Sequence, residues 1–214
     1  GLQDSISDYL LLLKHPERNL IFESAKNIAN IVNSTHNINM AVDKVAKIIY
    51  ALKSFSRVNN TDEMVNFQLK ESIEIVLTIY HNQIKQGIDI IRKYEEIPDV
   101  FCFPDELNQI WTNLIHNSIQ AMKNRGTITI SIRQANKYAI VSIADNGHGI
   151  PESILPKIFD PFFTTKPAGE GSGLGLGIVK RIIDKHNGRI EVKTEVGVGT
   201  EFLVYFPIRE VSNE

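Results

Sequence analysis

Residues 138–150, YAIVSIADNGHGI, join an alternating apolar run to a polar hexapeptide that contains two glycines. The alternation predicts a β-strand that ends at Asp145, because successive side chains of a strand point to opposite faces. Gly147 and Gly149 then let the backbone bend and pass close to a flat ring. The Asp145 carboxylate only accepts hydrogen bonds, so it suits an amino group such as the exocyclic nitrogen of adenine. For this stretch alone, an ordinary turn is the favoured alternative, because Asn-Gly is a strong turn pair.

A second glycine-rich stretch, GEGSGLGLGIV, begins at Gly169 and leads into an amphipathic helix. The bare amides before the helix predict an anion cradle, and the helix dipole adds to its attraction for phosphate. No Gly-Lys-Ser/Thr follows, so the stretch is not a Walker loop, and no strand precedes it as a dinucleotide fingerprint requires. The alternative is a flexible lid, which is compatible with closure on phosphates.

Two further stretches carry polar groups that suit a nucleotide. In WTNLIHNSIQAM, Asn113 and Asn117 lie four residues apart and share one helix face. An amide oxygen there suits Mg²⁺, which takes few protein ligands, whereas the alternative is an amide pair that caps nearby backbone. In FDPFFTTKPAGEG, which starts at Phe159, the pattern predicts a hinge followed by a cation, Lys166, that can move onto phosphate.

Around these stretches, the periodicity predicts an α+β sandwich with helices on one face of a mixed sheet. Ser72 is a candidate helix cap, and Gly87 closes the helix that follows it. The first predicted strand is the beginning of the stretch NFQLKES. The other predicted strands are IDIIRKY, TITISIRQ, YAIVSIAD, RIEVKTE and TEFLVYFP. The predicted helices cover residues 72–85, 104–124 and 174–186.

The chain before this region has a different character. Residues 17–57 contain no Gly or Pro, and their apolar residues recur at a coiled-coil period, so they predict one long helix that needs a partner helix. Thr35 and Asn39 interrupt the apolar seam. We therefore expect a helical dimerisation region over residues 1–60 and a second domain over residues 61–214.

Composition narrows the classes of function. The net charge of −2 argues against a broad nucleic-acid surface. The single cysteine, Cys102, has no partner for an internal disulfide, and its place between two phenylalanines predicts a small buried side chain. The longest aliphatic run is far shorter than the roughly 20 residues of a membrane span. We expect a cytoplasmic location, with any membrane contact made through segments upstream of Gly1.

The chain resembles the ATP-binding catalytic domain of sensor histidine kinases in five stretches and in their order along the chain. These are NLIHN, DNGHGI, FDPFFTTK, GSGLGLGIV and GVGT. That domain belongs to the GHKL superfamily, with gyrase, MutL and chaperone ATPases, and has the Bergerat fold. The resemblance covers residues 66–207. It implies ATP and Mg²⁺ as cofactors and the receiver domain of a response regulator as a partner. It also implies a homodimer in the full-length protein.

The resemblance implies a role for each matching residue. Asn117 resembles the Mg²⁺ ligand and Asn113 its partner near the phosphates, so these two and Lys166 are the expected catalytic residues. Asp145 resembles the adenine anchor, and Thr200 the residue that reaches adenine through water. The remaining expected nucleotide-binding residues are Gly147, Gly149, Ile150, Phe159, Gly171, Ser172, Gly173, Leu174, Gly175, Leu176 and Gly177.

The family resemblance also bears on the reaction. Gyrase-like ATPases carry a Glu, one helical turn before the metal-binding Asn, that activates water; Asn113 stands there and cannot take a proton. Phosphoryl transfer to a protein side chain is therefore favoured over hydrolysis. No histidine of the chain, His36 and His15 included, matches the acceptor pattern, so we expect the acceptor helix upstream of Gly1. The alternatives are a GHKL ATPase or anti-sigma serine kinase, and a nucleotide-binding signalling module without catalysis.

Overall fold

The computed structural model describes residues 14–35, 38, 63–123, 125–167 and 171–208. The chain divides into two compact units, Gly1–Val58 and Asn59–Glu214. In the first, helix α1 spans residues 18–35, and its apolar side chains are exposed, including Leu20, Ile28 and Ile31. The helix prediction is thus confirmed over these residues. The predicted continuation to residue 57, His36 and Asn39 lie outside the described residues.

In the second unit, a five-stranded mixed sheet forms the base of the fold. Its strands are β2 (Ile88–Tyr94), β4 (Gly126–Ala135), β5 (Tyr138–Asp145), β6 (Arg189–Glu195) and β7 (Gly199–Pro207), and their order is β2-β4-β5-β7-β6. β2 pairs with β4 in parallel, and the other neighbours are antiparallel. Two short strands, β1 (Val65–Phe67) and β3 (Val100–Cys102), pair separately.

Four helices and a 3-10 helix complete the second unit: α2 (Leu69–Ile79), α3 (His81–Ile84), α4 (Pro104–Ala121), α5 (Gly175–Lys185) and the 3-10 helix Glu152–Lys157. Helix α4 is central, because it packs against α2, α5 and β5. Its Trp111 is fully buried and meets Phe206 of β7 edge to face, with ring centroids 6.2 Å apart. An edge-to-face pair of this kind contributes about 0.5–1.5 kcal/mol beyond the burial of its apolar surface.

The alternation along the strands sets which side chains face the helices. In β5, Ala139, Val141, Ile143 and Asp145 share one face, and the Asp145 carboxylate bonds to Ser118 of α4. The helices therefore lie on that face of the mixed sheet, which confirms the predicted α+β sandwich.

Several element boundaries differ from the sequence predictions. The helix expected from residue 72 begins at Leu69 and is interrupted at Tyr80. Ser72 is not a cap, because Gln68 holds that position and the buried Ser72 hydroxyl donates to Asn108 Oδ1 at 2.9 Å. Neither β3 nor the 3-10 helix was predicted, because a three-residue strand and a six-residue 3-10 helix that contains a proline carry almost no periodic signal.

Cys102 is buried at the end of β3, as its neighbours predicted. Burial raises the pKa of its thiol to about 12, and Asp99 adds to the rise. A thiol with this pKa stays protonated near neutral pH, so Cys102 has a packing role.

Candidate functional site

Asp145 ends β5 beneath helix α4, and its side chain is only 9% exposed. One carboxylate oxygen accepts the Ser118 hydroxyl at 2.8 Å, and the other accepts the Gly147 amide at 2.9 Å. The backbone of Thr200, its register partner on β7, also hydrogen-bonds to it. The carboxylate is thus held in one orientation at the helix-facing end of the sheet.

The electrostatics of Asp145 are those of a charge removed from water. Burial raises the pKa of its carboxyl above the usual value, while the bonds from Ser118, Gly147 and Thr200 oppose the rise. A further hydrogen-bond donor from a ligand would offset part of the lost hydration. The group is therefore prepared to accept a hydrogen bond from outside the protein.

The row of residues that contains Asp145 continues across the sheet. Asp145 pairs with Thr200 on β7, and Thr200 pairs with Thr194 on β6. The two threonine hydroxyls lie 3.0 Å apart, and Thr194 Oγ1 accepts the Ile150 amide at 2.8 Å. Ile150, which is half-buried, is thereby attached to the far side of this row. The DNGHGI segment consequently crosses the end of the sheet from β5 towards β6.

Two glycines are required by this crossing. Gly149 has a φ of +71°, and a Cβ there would lie 2.2 Å from the Glu195 carbonyl oxygen. A Cβ at Gly147 would lie 2.8 Å from both the Ala121 Cβ and Asp145 Oδ1. The segment thus lies against both α4 and β6, which a plain exposed turn would not require.

Helix α4 presents a row of amides one turn apart. Asn113 Nδ2 donates to the Gln109 carbonyl at 2.9 Å, which is the backbone-capping role considered as an alternative for the sequence. Asn117 Oδ1 accepts from Lys166 Nζ at 3.4 Å, and Gln120 Oε1 also accepts from this ammonium group. Lys166 therefore lies over the same helix face as Asn117, although 49 residues separate them in the chain.

The glycine-rich stretch meets the other end of this amide row. Helix α5 begins at Gly175, where a Cβ would lie 2.8 Å from Asn113 Oδ1. Gly173 has a φ of +66°, and a Cβ there would lie 2.3 Å from the Phe162 carbonyl carbon. A Cβ at Gly171 would lie 2.6 Å from Thr164 Oγ1. The N-terminus of α5 and the segment that carries Lys166 are thus in contact.

The other expected binding residues surround this second cluster. The Phe159 carbonyl oxygen lies near Gly177, and the half-buried Leu176 belongs to the first turn of α5. Ser172 is exposed, and its hydroxyl accepts the Leu174 amide at 3.4 Å. Gly169 lies outside the described residues. The structure thus places one cluster around Asp145 and another around Asn113, Asn117 and Lys166.

Helix α4 connects the two clusters, since Ser118, which holds Asp145, directly follows Asn117. Sequence reasoning did not identify Ser118, Gln120 or Thr194. For Ser118 the available signal is its place on the apolar face of α4, next to Leu114 and Ile115 in the helical repeat. For Thr194 it is the alternation of β6, which sets this hydroxyl on the same face as Ile190 and Val192.

Among the described residues, no cluster of three or more His, Cys, Asp or Glu side chains is arranged to hold a metal ion. The amide oxygens of Asn117 and Gln120 near Lys166, and that of Asn113 near the start of α5, are candidate protein ligands for a cation. Such neutral oxygens suit a hard cation that takes its other ligands from water and phosphate. In the described part of the chain, no helix is both long and apolar enough to cross a membrane.

Known proteins resemble this chain over much of its length. It is 29% identical over 198 residues to sporulation kinase E of Bacillus subtilis, covering 92% of this chain and 24% of that protein. It is 34% identical over 178 residues to the signal transduction histidine-protein kinase AtoS of Escherichia coli, covering 81% of this chain and 28% of that protein. The chain thus spans about a quarter of the length of these curated relatives.

The solved catalytic domain of histidine kinase ThkA, in a nucleotide-free form, has a TM-score of 0.62 and 33% identity, and the match covers 68% of this chain and 95% of that domain. The sequence profile of the histidine kinase-, DNA gyrase B- and HSP90-like ATPases matches residues 103–210, just over half of the chain. The chain belongs to this family of ATP-binding domains and has the catalytic-domain fold of the histidine kinases of two-component systems.

Proposed function

We propose that this chain binds Mg-ATP and, in the full-length protein, transfers the γ-phosphoryl group to a histidine on a dimerisation helix. The phosphoryl group then passes from this histidine to an aspartate in the receiver domain of a response regulator. The observation that carries the proposal is the buried Asp145 carboxylate, which accepts hydrogen bonds from Ser118 and Gly147, while Asn117, the residue before Ser118 on helix α4, contacts Lys166. The relatives named as histidine kinases support the phosphoryl acceptor.

The adenine end of the proposed site lies around Asp145. Its carboxylate accepts the exocyclic amino group of adenine, a bond that offsets the cost of its burial. Gly149 and Ile150 form one side of the space for the base, with Thr200 beside Asp145 at the end of the sheet. Gly147 keeps the backbone against Asp145 and Ala121, where any side chain would collide.

The phosphate end lies where α4, α5 and Lys166 meet. The amides of Gly173–Gly177 at the start of α5 bind phosphate oxygens, with Lys166 as the neighbouring cation. The Asn117 amide oxygen holds Mg²⁺, and Asn113 lies on the same face beside Gly175. When bound, Mg²⁺ neutralises charge on the phosphate oxygens. The protein's contribution is to position the triphosphate and to complement its charge.

The identity of residue 113 favours transfer over hydrolysis. Asn113 donates its amide to the Gln109 carbonyl and has no group that can accept a proton from water. Without a base, a water molecule near the γ-phosphate is not activated, whereas a histidine acceptor supplies its own nucleophilic nitrogen. In the absence of an acceptor, we expect the chain to release phosphate from Mg-ATP slowly. Sustained multiple turnover, measured as phosphate release, would instead support an ATPase.

The binding proposal is tested by isothermal titration with ADP and Mg²⁺. We expect saturable binding by the wild-type chain and at least about ten-fold weaker binding by Asp145→Asn, because the amide presents a donor where the carboxylate accepts. The matched control is Asp184→Asn, an exposed carboxylate on α5 that pairs with Lys180. Equal affinity in the Asp145 variant and the control would reject the adenine assignment.

The transfer proposal is tested with the full-length protein and labelled ATP. We expect acid-labile label on a histidine of the dimerisation region and its passage to a purified receiver domain. We expect no such label on the present chain incubated alone. Stable labelling of His15 or His36 in this chain would place the acceptor within it and contradict this part of the proposal.

A further inference from the structure

The Thr194 hydroxyl on β6 has three hydrogen-bond partners, each from a different part of the site. It lies 3.0 Å from the Gly199 carbonyl oxygen, 3.0 Å from Thr200 Oγ1 and 2.8 Å from the Ile150 nitrogen. Its side chain is half-buried on the helix-facing side of the sheet. This single hydroxyl therefore joins the β6–β7 turn, the Asp145–Thr200 row and the DNGHGI segment.

Counting protons fixes the direction of each of these bonds. A hydroxyl has one proton to donate and two lone pairs to accept with. The Gly199 carbonyl only accepts, so it takes the Thr194 proton, and the Ile150 amide only donates, so it uses one lone pair. Thr200 must therefore donate its own proton to Thr194. Thr200 Oγ1 is left with lone pairs alone.

Asp145 and Thr200 therefore present only hydrogen-bond acceptors to a ligand. Asp145 pairs with Thr200 across β5 and β7, and its carboxylate also has no proton to donate when ionised. If Thr194 did not receive its proton, Thr200 could rotate its hydroxyl and donate to a ligand. The bond to Thr194 removes that option.

We propose that Thr194 is a positioning residue that sets the purine specificity of the site, by fixing the Thr200 hydroxyl as an acceptor. This inference rests on the proposed binding of adenine. A 6-aminopurine donates hydrogen bonds at position 6 and accepts at N1, whereas a 6-oxopurine accepts at position 6 and donates at N1. If position 6 of the base lies directly against Asp145 and Thr200, rather than being linked to Thr200 by water, an amino group there meets two acceptors. An oxygen at the same place meets lone pairs on both side chains, so the site disfavours it.

The test compares the affinities of the full chain for ADP and inosine diphosphate, which differ only at position 6 and N1 of the base. Competition titrations with Mg²⁺ give the ratio of the two dissociation constants. In Thr194→Val the ratio is expected to move about three- to ten-fold towards inosine diphosphate, the worth of roughly one hydrogen bond. Thr194→Ser retains the hydroxyl and is expected to keep the wild-type ratio.

The ratio separates a role in specificity from a merely structural one. Loss of the Ile150 bond in Thr194→Val can loosen the segment and weaken both nucleotides equally, which leaves the ratio unchanged. An unchanged ratio would overturn the proposal. In the background of Thr200→Val, whose side chain has no hydroxyl, adding Thr194→Val is expected to leave the ratio where it stands. A further change there would also overturn it.

A second arm does not depend on the stability of the valine variant at position 194. Thr200→Val alone removes the lone pairs that oppose the 6-oxo group, so it is expected to move the ratio in the same direction. An unchanged ratio would mean that Thr200 does not read the base and would overturn the inference. Wild-type chain that binds neither nucleotide would sink the proposed function as well, whereas normal ADP binding with unchanged ratios sinks this inference alone.

Discussion

The Asp145 carboxylate, at the end of β5, already has hydrogen bonds to each oxygen from within the protein. Those bonds orient it, yet burial still raises the pKa of the carboxyl. Ionisation of the Asp145 carboxyl is thus less favourable in the folded chain than in the unfolded chain. The same feature that prepares the residue for a donor ligand is a cost to the unliganded protein, a trade found at many binding sites.

Asp145→Asn is therefore expected to stabilise the unliganded chain while it loses nucleotide affinity. The folded state holds the Asp145 proton more tightly, so wild-type stability falls as the pH rises from about 3.8 through the raised folded-state pKa. The gain is expected at pH 7, where wild-type Asp145 is ionised, and is expected to be absent near pH 3, where it is protonated in both states. Urea denaturation at both pH values measures it. A variant that is less stable than wild type at pH 7 would contradict the argument.

For His186, just after α5, burial makes the stability of the chain depend on pH in the direction opposite to that for Asp145. Its Nδ1–H donates to the Ile182 carbonyl at 2.8 Å, and its Nε2 accepts the Phe103 amide at 3.1 Å, so the buried ring is neutral. Burial lowers the pKa of the imidazole from 6.5, against smaller opposing effects of the Ile182 bond and Glu106. A second ring proton would face the Phe103 N–H.

The unfolded chain binds a proton at His186 more readily than the folded chain does. The contribution of His186 to stability is therefore fully present above pH 6.5, and it falls as the pH drops from there towards the lowered folded-state pKa. The expected loss between pH 7.5 and 5.5 has an upper bound of about 1.4 kcal/mol, the worth of the one pH unit between 6.5 and 5.5. His186→Gln has no proton to gain and is expected to lose less over this range, although it is less stable at both ends. Parallel losses in the two proteins, followed by urea denaturation, would assign the effect to other groups.

At the scale of elements, the start of α5 depends on a backbone contact rather than on a side chain. Gly173 combines a φ of +66° with a carbonyl carbon of Phe162 that lies 2.3 Å from the position of a Cβ. We expect Gly173→Ala to displace the segment and to weaken ADP binding by at least about ten-fold. The matched control is Gly197→Ala in the β6–β7 turn, where φ is +82° and nothing lies within 4 Å.

The control separates the close approach from backbone strain, since both positions have a positive φ. Both variants are expected to lose about 1–2 kcal/mol of stability from the left-handed backbone, and only Gly173→Ala is expected to lose affinity. Melting temperature and ADP titration give the two readouts. Equal affinities in the two variants would show that the contact with Phe162 does not shape the site.

The elements that sequence could predict are those with a sustained period. β4, β5 and α4 have eight or more residues each. β4 buries alternate residues and α4 buries a helical stripe, whereas β5 is a nearly continuous apolar run buried on both faces. The strand Val100–Cys102 forms by pairing with the distant β1, which leaves no local pattern in the sequence. The helix break at Tyr80 has no Gly or Pro to mark it.

The place of a residue along a strand could be predicted from sequence, whereas the direction of its hydrogen bonds could not. The Asp145 position at a strand end followed from alternation, and the structure holds it there. The dependence of Thr200 on Thr194 requires the register of three strands, which only the folded chain fixes. Ser118 was missed for a related reason, since a serine within a helix shows its partner only when the neighbouring strand is in place.

At the scale of the whole molecule, every described residue of the proposed site belongs to the second unit, Asn59–Glu214. The sheet, α4 and α5 also lie within it, and α4 fills its core. A fragment of residues 59–214 is therefore expected to fold by itself and to bind ADP with an affinity within about two-fold of the full chain. Circular dichroism, thermal unfolding and titration of both proteins provide the comparison.

The matched control fragment ends at residue 187, before β6 and β7. Removal of these two strands takes away Thr194 and Thr200 and exposes the edge of β5 that pairs with β7. It also exposes Trp111, which packs on Phe206. We expect this shorter fragment to be unfolded and to bind no ADP. If instead residues 59–214 bind ADP more than about ten-fold more weakly than the full chain while keeping their fold, residues of the first unit contribute to the site, and the nucleotide is not held by the catalytic domain alone.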